Sequence, residues 1–211
     1  MRQDDTKQRI LKEALKLFST DGFESVSVEQ IARAVGIKAP SLYHHYRSKQ
    51  AIFDAIMEDS SKRYGEYTGQ LSIHMRNAEQ DVSVFAQITE DGLSEKVRHM
   101  FLYSLHDEVV SQLRRMMTIE QFRNPELAAV YTKRFVDNFT SYHAELFRFL
   151  MEAGKMRTED PEVLALMYTA PIFTLIGVCD RQPEREPECL QRLDAHIRLF
   201  FRTFHVSTGG A

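Results

Sequence analysis

Lys38, Ser41, Tyr43, His44, His45 and Lys49 crowd into one short stretch, and no Asp or Glu lies between the first and the last of them. What these side chains share is hydrogen-bond donation, which suits phosphate oxygens and the edges of nucleobases. Catalysis asks for other constellations. The chain has no glycine-rich phosphate loop, no nucleophile elbow, no HExxH and no CxxC, so binding is the expected chemistry, with no enzyme activity and no cofactor. His99, Tyr103 and His106 share a helix face; with His143 they suit a polar site, or else a metal ion.

The donors are placed by a short and well-marked pair of elements. Ser27 followed by Gln30 is a capping box, and Val26 and Ile31 stand where a hydrophobic staple needs them, so a helix begins at Val28. Gly36 tolerates the positive φ at which a helix ends sharply. Pro40 pre-sets a second helix through Ser41, Leu42, Tyr43, His44, His45 and Tyr46. Two short helices joined by a glycine turn make a helix-turn-helix. Counted from Val28, small Ala32 is fifth, Gly36 ninth and Leu42 fifteenth, each size fitting its place. In this motif the second helix lies in the major groove, which makes Lys38, Ser41 and His44 the residues expected to read bases.

The stretch from Ile10 to Phe53, with ALKLFSTDGFESVSVEQIARAVGIKAPSLYHHYRSKQAIF at its heart, resembles the DNA-binding domain of the TetR family of bacterial regulators. The resemblance implies that Tyr43, His45 and Lys49 touch phosphates, and Ser27 at the head of the first motif helix is counted among the DNA-binding residues. Lys38 departs from the pattern, standing where the family has a Ser or Thr cap; either the cap is weaker or Lys38 contacts DNA. Arg2 and Lys7, ranked below these, are further cations that suit phosphates or a groove edge, the alternative being plain solvated surface.

Charge agrees with this polarity. Through Lys49 nine Lys and Arg face six Asp and Glu, a net of +3, and since the whole chain carries -3 the remainder carries -6. Apolar residues at 43% and charged ones at 27% describe a soluble globular protein. Cys179 and Cys189 are too few for a disulfide scaffold, which points to a reducing cytoplasm, and the family resemblance implies a bacterial one, on the nucleoid; a redox role for the pair stays open. MRQDDTKQR runs into an amphipathic pattern, so no signal peptide is expected. The run Val163 to Cys179 is read as a buried helix and not a membrane span, because it is short and Pro171 interrupts it.

Elsewhere the pattern is helical throughout. Asp5 with Gln8 is expected to cap the first helix and Ser48 the fourth. A connector with one short helix should span 72–92, its Asp91-Gly92 pair forming a turn. Ser94 should cap a helix, Glu108 start another, and one long helix should run from Pro125 to Gly154. Pro161 opens the apolar segment. Met100, Tyr103, Met116, Met117, Glu120, Tyr131, Phe135, Phe139, Tyr142, Tyr168 and Phe173 are candidates for an effector pocket, although such stripes equally suit a plain core. Leu190, Leu193, Ile197, Phe200 and Phe204 recur at spacings of three and four, a heptad seam. With Leu164, Tyr168 and Phe173 they are expected to form a homodimer interface, the alternative being a core within the chain.

The expectation is an all-α protein of about nine helices, with a three-helix DNA-binding domain at 1–48 and a ligand-binding and dimerisation domain at 49–211. Its function would be that of a homodimeric regulator, a repressor released from a palindromic double-stranded operator by a small-molecule effector and without a membrane partner. The alternative is a DNA-tethered structural or protein-interaction dimer with no effector.

Overall fold

The computed structural model describes the backbone of residues 3–75 and 77–206, and the side chains of these except residues 3 and 4. Among the described residues there are α-helices and short helical turns, and extended pairing is confined to one bridge between Met156 and His205. The helices are α1 (Gln3–Asp21), α2 (Val28–Val35), α3 (Ala39–His45), α4 (Lys49–Gln70), α5 (Ala78–Phe85) and α6 (Glu90–His106). They are followed by α7 (Glu108–Glu120), α8 (Pro125–Tyr131), α9 (Asn138–Glu152), α10 (Pro161–Arg181) and α11 (Glu186–Phe204). The chain folds as two compact units, Met1–Tyr64 with Asp107–Tyr131, and Gly65–His106 with Thr132–Ala211.

In the first unit α1 packs on α2 and α7. Ile10, Ala14, Leu15 and Phe18 of α1 are buried, as are Leu113, Met116 and Met117 of α7. Each of these side chains other than Ala14 contributes about 1.5–3 kcal/mol of transfer free energy. Rings of Phe18, Phe23 and Phe53 stand in a row, with centroids 5.1 and 5.5 Å apart, and tie α1 to α4. The first helix begins at Gln3, so Asp5 lies inside its first turn and does not precede it. Ser48 caps α4 as expected, its hydroxyl accepting from Ala51 N–H at 3.1 Å.

The second unit is built on α9, α10 and α11, with α5 and α6 against them. Its sharpest polar feature is Asp81, fully buried near the start of α5. Its carboxylate accepts from the backbone of His74 at 2.9 and 3.0 Å, His74 Nδ1 at 2.8 Å, Met75 N–H at 3.1 Å and the Tyr142 hydroxyl at 2.6 Å. Burial pushes this carboxyl up, but donation from Tyr142, His74 and Met75 outweighs it and holds the group below its ordinary range.

Three expectations change here. Ser94 does not cap α6, which starts at Glu90 and takes in Asp91 and Gly92; Thr89 Oγ1 accepts from Gly92 N–H at 3.1 Å and is the cap. Ser94 is instead buried and donates to Asp194 of α11, and Arg198 binds Asp194, Glu90 and Asp91. The helical run from Pro125 to Glu152 is interrupted by a π-helical stretch, Thr132–Asp137. α10 reaches 21 residues, long and apolar enough by length and composition to cross a membrane, yet eight of its side chains are buried in this core.

The seam on α11 also faces elsewhere than expected. Leu164, Tyr168, Leu193, Ile197 and Phe200 are buried in the chain's own core, and Leu190 and Phe204 pack at its edge. Phe173 is half-buried with its ring 5.2 Å from Phe139. Spacing of three and four says only that one helix packs against another, and here the partner helices are α9 and α10 of the same chain: Phe200 meets Phe147 at 5.5 Å and Tyr168 at 5.0 Å. The large apolar side chains that α10 and α11 turn outward are Val163 (53% exposed), Leu166 (57%), Met167 (50%) and Leu199 (65%).

Candidate nucleic-acid interface and effector cavity

The helix-turn-helix forms by the local rules its residues obey. Ser27 Oγ accepts from Gln30 N–H at 3.2 Å, and Gln30 Oε1 accepts from Ser27 N–H at 2.7 Å, so both halves of the capping box are made. Gly36 takes φ +77°, and Ile37 N–H donates to Ala32 O at 2.9 Å, closing α2 with a left-handed cap. Lys38 is the N-cap of α3 and gives it no side-chain bond. The weaker cap expected at Lys38 is therefore present, and the side chain itself is exposed.

Leu42 is the buried residue of α3. Ser41, Tyr43 and His44 are exposed and His45 half-buried, so the helix turns a row of donors outward. Ser27 is half-buried; its oxygen serves the cap while its own proton remains to donate. Lys49 does something the sequence did not announce. Its Nζ donates to the carbonyls of Phe23 at 2.7 Å and Glu24 at 3.2 Å and sits 4.5 Å from the Phe23 ring centroid. An ammonium has three protons, which leaves one for a phosphate. Lys7 is exposed, whereas Arg2 lies outside the described residues.

The carbonyls that hold Lys49 belong to a loop gripped from α7. Glu120 is buried, and its Oε1 accepts from Glu24 N–H at 3.4 Å; Asn124 donates to the Glu24 carboxylate at 2.7 Å. Gly22 in the same loop has φ +87°, and a Cβ there would collide with Glu120 Oε1. Met116, Met117 and Glu120 are thus core and loop-anchoring residues of the first unit, and their expected place in an effector pocket is corrected. The reason is that α7, with both methionines buried, packs on α1, a partner that periodicity does not identify.

The second unit holds a cavity of about 50 Å³. Its walls are mostly aromatic and aliphatic, including Leu146, Phe147, Met156 and Phe200, and its polar members are His143, Lys155, Tyr168 and His205. Of the expected effector residues Tyr168 lines it. Phe139, Tyr142 and Phe173 belong to the aromatic cluster round His143 just behind that wall, with Phe139 and Tyr142 centred 4.5 and 5.1 Å from its ring. Met100, Tyr103, Tyr131 and Phe135 do not line the cavity; Tyr103 stacks on Tyr67 at 4.0 Å. His143 Nδ1 donates to Phe139 O at 2.8 Å, and burial outweighs that bond to bring the imidazole down to about 4, so the ring is neutral. The expected grouping of His99, His106 and His143 is not made: His106 pairs with Glu186 at 3.0 Å, and His99 is exposed. Lys155 and His205 were missed because they stand just outside the periodic helices that carried the reading.

Residues 10–56 match the sequence profile of bacterial regulatory proteins of the TetR family, and residues 92–202 match that of the AefR-like transcriptional repressor C-terminal domain. The chain belongs to the TetR family. It is accordingly a helix-turn-helix transcriptional regulator, and its relatives are regulators and not enzymes. The regulator AcrR of Shigella flexneri is 30% identical over 113 residues, 54% of this chain and 46% of AcrR. The chain thus spans about half the length of that relative. A TetR-family regulator from Mesorhizobium loti superposes with a TM-score of 0.69 at 19% identity, covering 98% of this chain and 100% of that one. SmeT of Stenotrophomonas maltophilia, solved as a triclosan complex, gives 0.69 at 20% identity over 98% and 95% of the two chains. At such identities these two structures share the fold with this chain.

Cys179 and Cys189 are buried and free. Burial and the neighbouring Cys189 push the Cys179 thiol up to about 12, which keeps it protonated and unreactive.

Proposed function

We propose that this TetR-family chain is a homodimeric repressor that holds a short palindromic operator through the outward face of α3 and is released by a small molecule bound in its second unit. Residues 1–48 are the DNA-reading module and 49–211 the regulatory one. Tyr43, His45, Lys49 and Ser27 fix position on phosphates, and Lys38, Ser41 and His44 discriminate bases. The observation that carries this reading is α3 itself, which buries Leu42 and turns its donors outward in a stretch with no acidic residue.

Dimerisation is supported by the exposed apolar side chains Val163, Leu166 and Met167 on α10 and Leu199 on α11. Two recognition helices one DNA turn apart hold a palindrome that one alone cannot. A regulator of the bacterial cytoplasm, acting on the nucleoid, fits the relatives. Release by an effector is supported by the cavity and by the description of SmeT as a triclosan complex. The cavity also weighs against a DNA-tethered dimer with a solid second unit. The mechanism is differential affinity: an effector that binds better to the conformation unfit for DNA shifts the population, and reversing a 99:1 preference takes ~5.5 kcal/mol between states.

Selection of bound sequences from a random duplex pool tests the proposal. Enrichment of one palindrome supports it, and an unenriched pool removes sequence-specific repression.

A further inference from the structure

The cavity in the second unit has a polar corner that its own chain leaves unserved. Residues 155–157 and 204–206 pair through Arg157 N–H to Phe204 O at 2.8 Å and Val206 N–H to Lys155 O at 3.0 Å, which fixes the backbone of Lys155 and His205 beside each other. The His205 imidazole stacks on Phe201 with ring centroids 4.2 Å apart and planes at 14°. Both of its ring nitrogens are buried without a hydrogen-bond partner among the described residues. Buried polar atoms of this kind are rare, and an unfilled ligand site is one of the situations that leaves them. Lys155 lines the same cavity, and its charge, after burial, is what depresses the His205 pKa.

The signs of the lining select the ligand. Among the described residues no Asp or Glu lines the cavity, and His143 is neutral because burial outweighs the bond its Nδ1 makes to Phe139 O. A cation would find no counter-charge. A wholly apolar guest would leave the His205 nitrogens unserved. An anion with an apolar body satisfies both ends: its oxygens accept from the His205 N–H and face the Lys155 ammonium, while its body lies against Leu146, Phe147 and Phe200. At ~10–15 Å³ for each water-sized group, a cavity of about 50 Å³ takes roughly four such groups.

We propose that this cavity binds a small monocarboxylate with a short or branched apolar body of about three or four carbons, its carboxylate held by His205 and Lys155. The assignment rests on the reading of this cavity as the effector site. It is a binding step without covalent chemistry.

The test is calorimetric titration of the full chain with the sodium salts of butyrate, isovalerate and benzoate, beside isovaleramide as the neutral isostere. Isovalerate should bind at least tenfold tighter than isovaleramide. His205→Phe, which keeps the stack on Phe201, and Lys155→Met, at a position held by its backbone, should each weaken isovalerate tenfold or more while leaving isovaleramide and DNA affinity unchanged. Equal binding of acid and amide, full binding in both variants, or no heat from any of the three acids overturns the proposal. Operator release is measured separately. Isovalerate binding without release from the selected operator overturns the effector reading and leaves the ligand class standing. Release by an uncharged molecule, with no carboxylate binding, does the reverse.

Discussion

Tyr142→Phe removes one oxygen from the most strongly bonded polar group of the second unit, and its cost follows from the geometry. The hydroxyl lies 2.6 Å from Asp81 Oδ2, and a hydrogen bond to a charged group contributes ~1.5–3 kcal/mol. The carboxylate keeps the His74 and Met75 donors after the change, so the loss belongs at the lower end, about 1.5–2 kcal/mol. For a chain of this length that lowers the unfolding midpoint by ~3–8 °C. Asp81→Ala should cost more, about 3–5 kcal/mol, because it removes the acceptor of all these bonds at once. The effect depends on pH in a defined sense. Asp81 is held below its ordinary value of 3.8, so its stabilisation is complete above that value and is lost as pH falls through the lower folded-state value. The gap between wild type and Tyr142→Phe should therefore be full at neutral pH and close in strong acid. Thermal unfolding followed by circular dichroism across that range measures it. A neutral-pH difference under ~0.5 kcal/mol, the size of an ordinary surface change, would refute the account of Asp81 as an ionised clamp.

Three other changes probe the remaining parts. Gly22→Ala should destabilise the first unit by ~1–3 kcal/mol or more, since φ +87° is strained for any Cβ and this one meets Glu120; thermal melts measure the loss. Leu166→Glu with Met167→Glu should leave the fold intact, both side chains being about half exposed, and yield a monomer by sedimentation. Lys38→Ser should add the missing cap and stabilise α3 by ~0.5–1 kcal/mol in denaturant titration while weakening DNA binding.

The motif was legible in the sequence because its determinants are local. Ser27, Gln30 and Gly36 act on neighbours within a few positions, and the bonds they make are the ones their types require. The placement of the larger stripes was not legible, because periodicity names a buried face without naming what buries it. The helix that carries the buried methionines, α7, packs on α1, and the seam of α11 is buried within its own chain, with Phe200 against Tyr168 of α10. Ser94 reads as a cap until Asp194, a hundred positions away, supplies a partner. Lys155 and His205 carried no sequence signal, since a two-strand bridge at the helix ends sets them side by side.

The most direct test of the central claim is the affinity of the full chain for its selected palindrome, for a single half-site and for a scrambled duplex, over a range of salt. The account predicts tight binding of the palindrome alone, with log K falling against log salt at a slope of about -0.9 for each phosphate contact. Equal affinity for all three duplexes would contradict it.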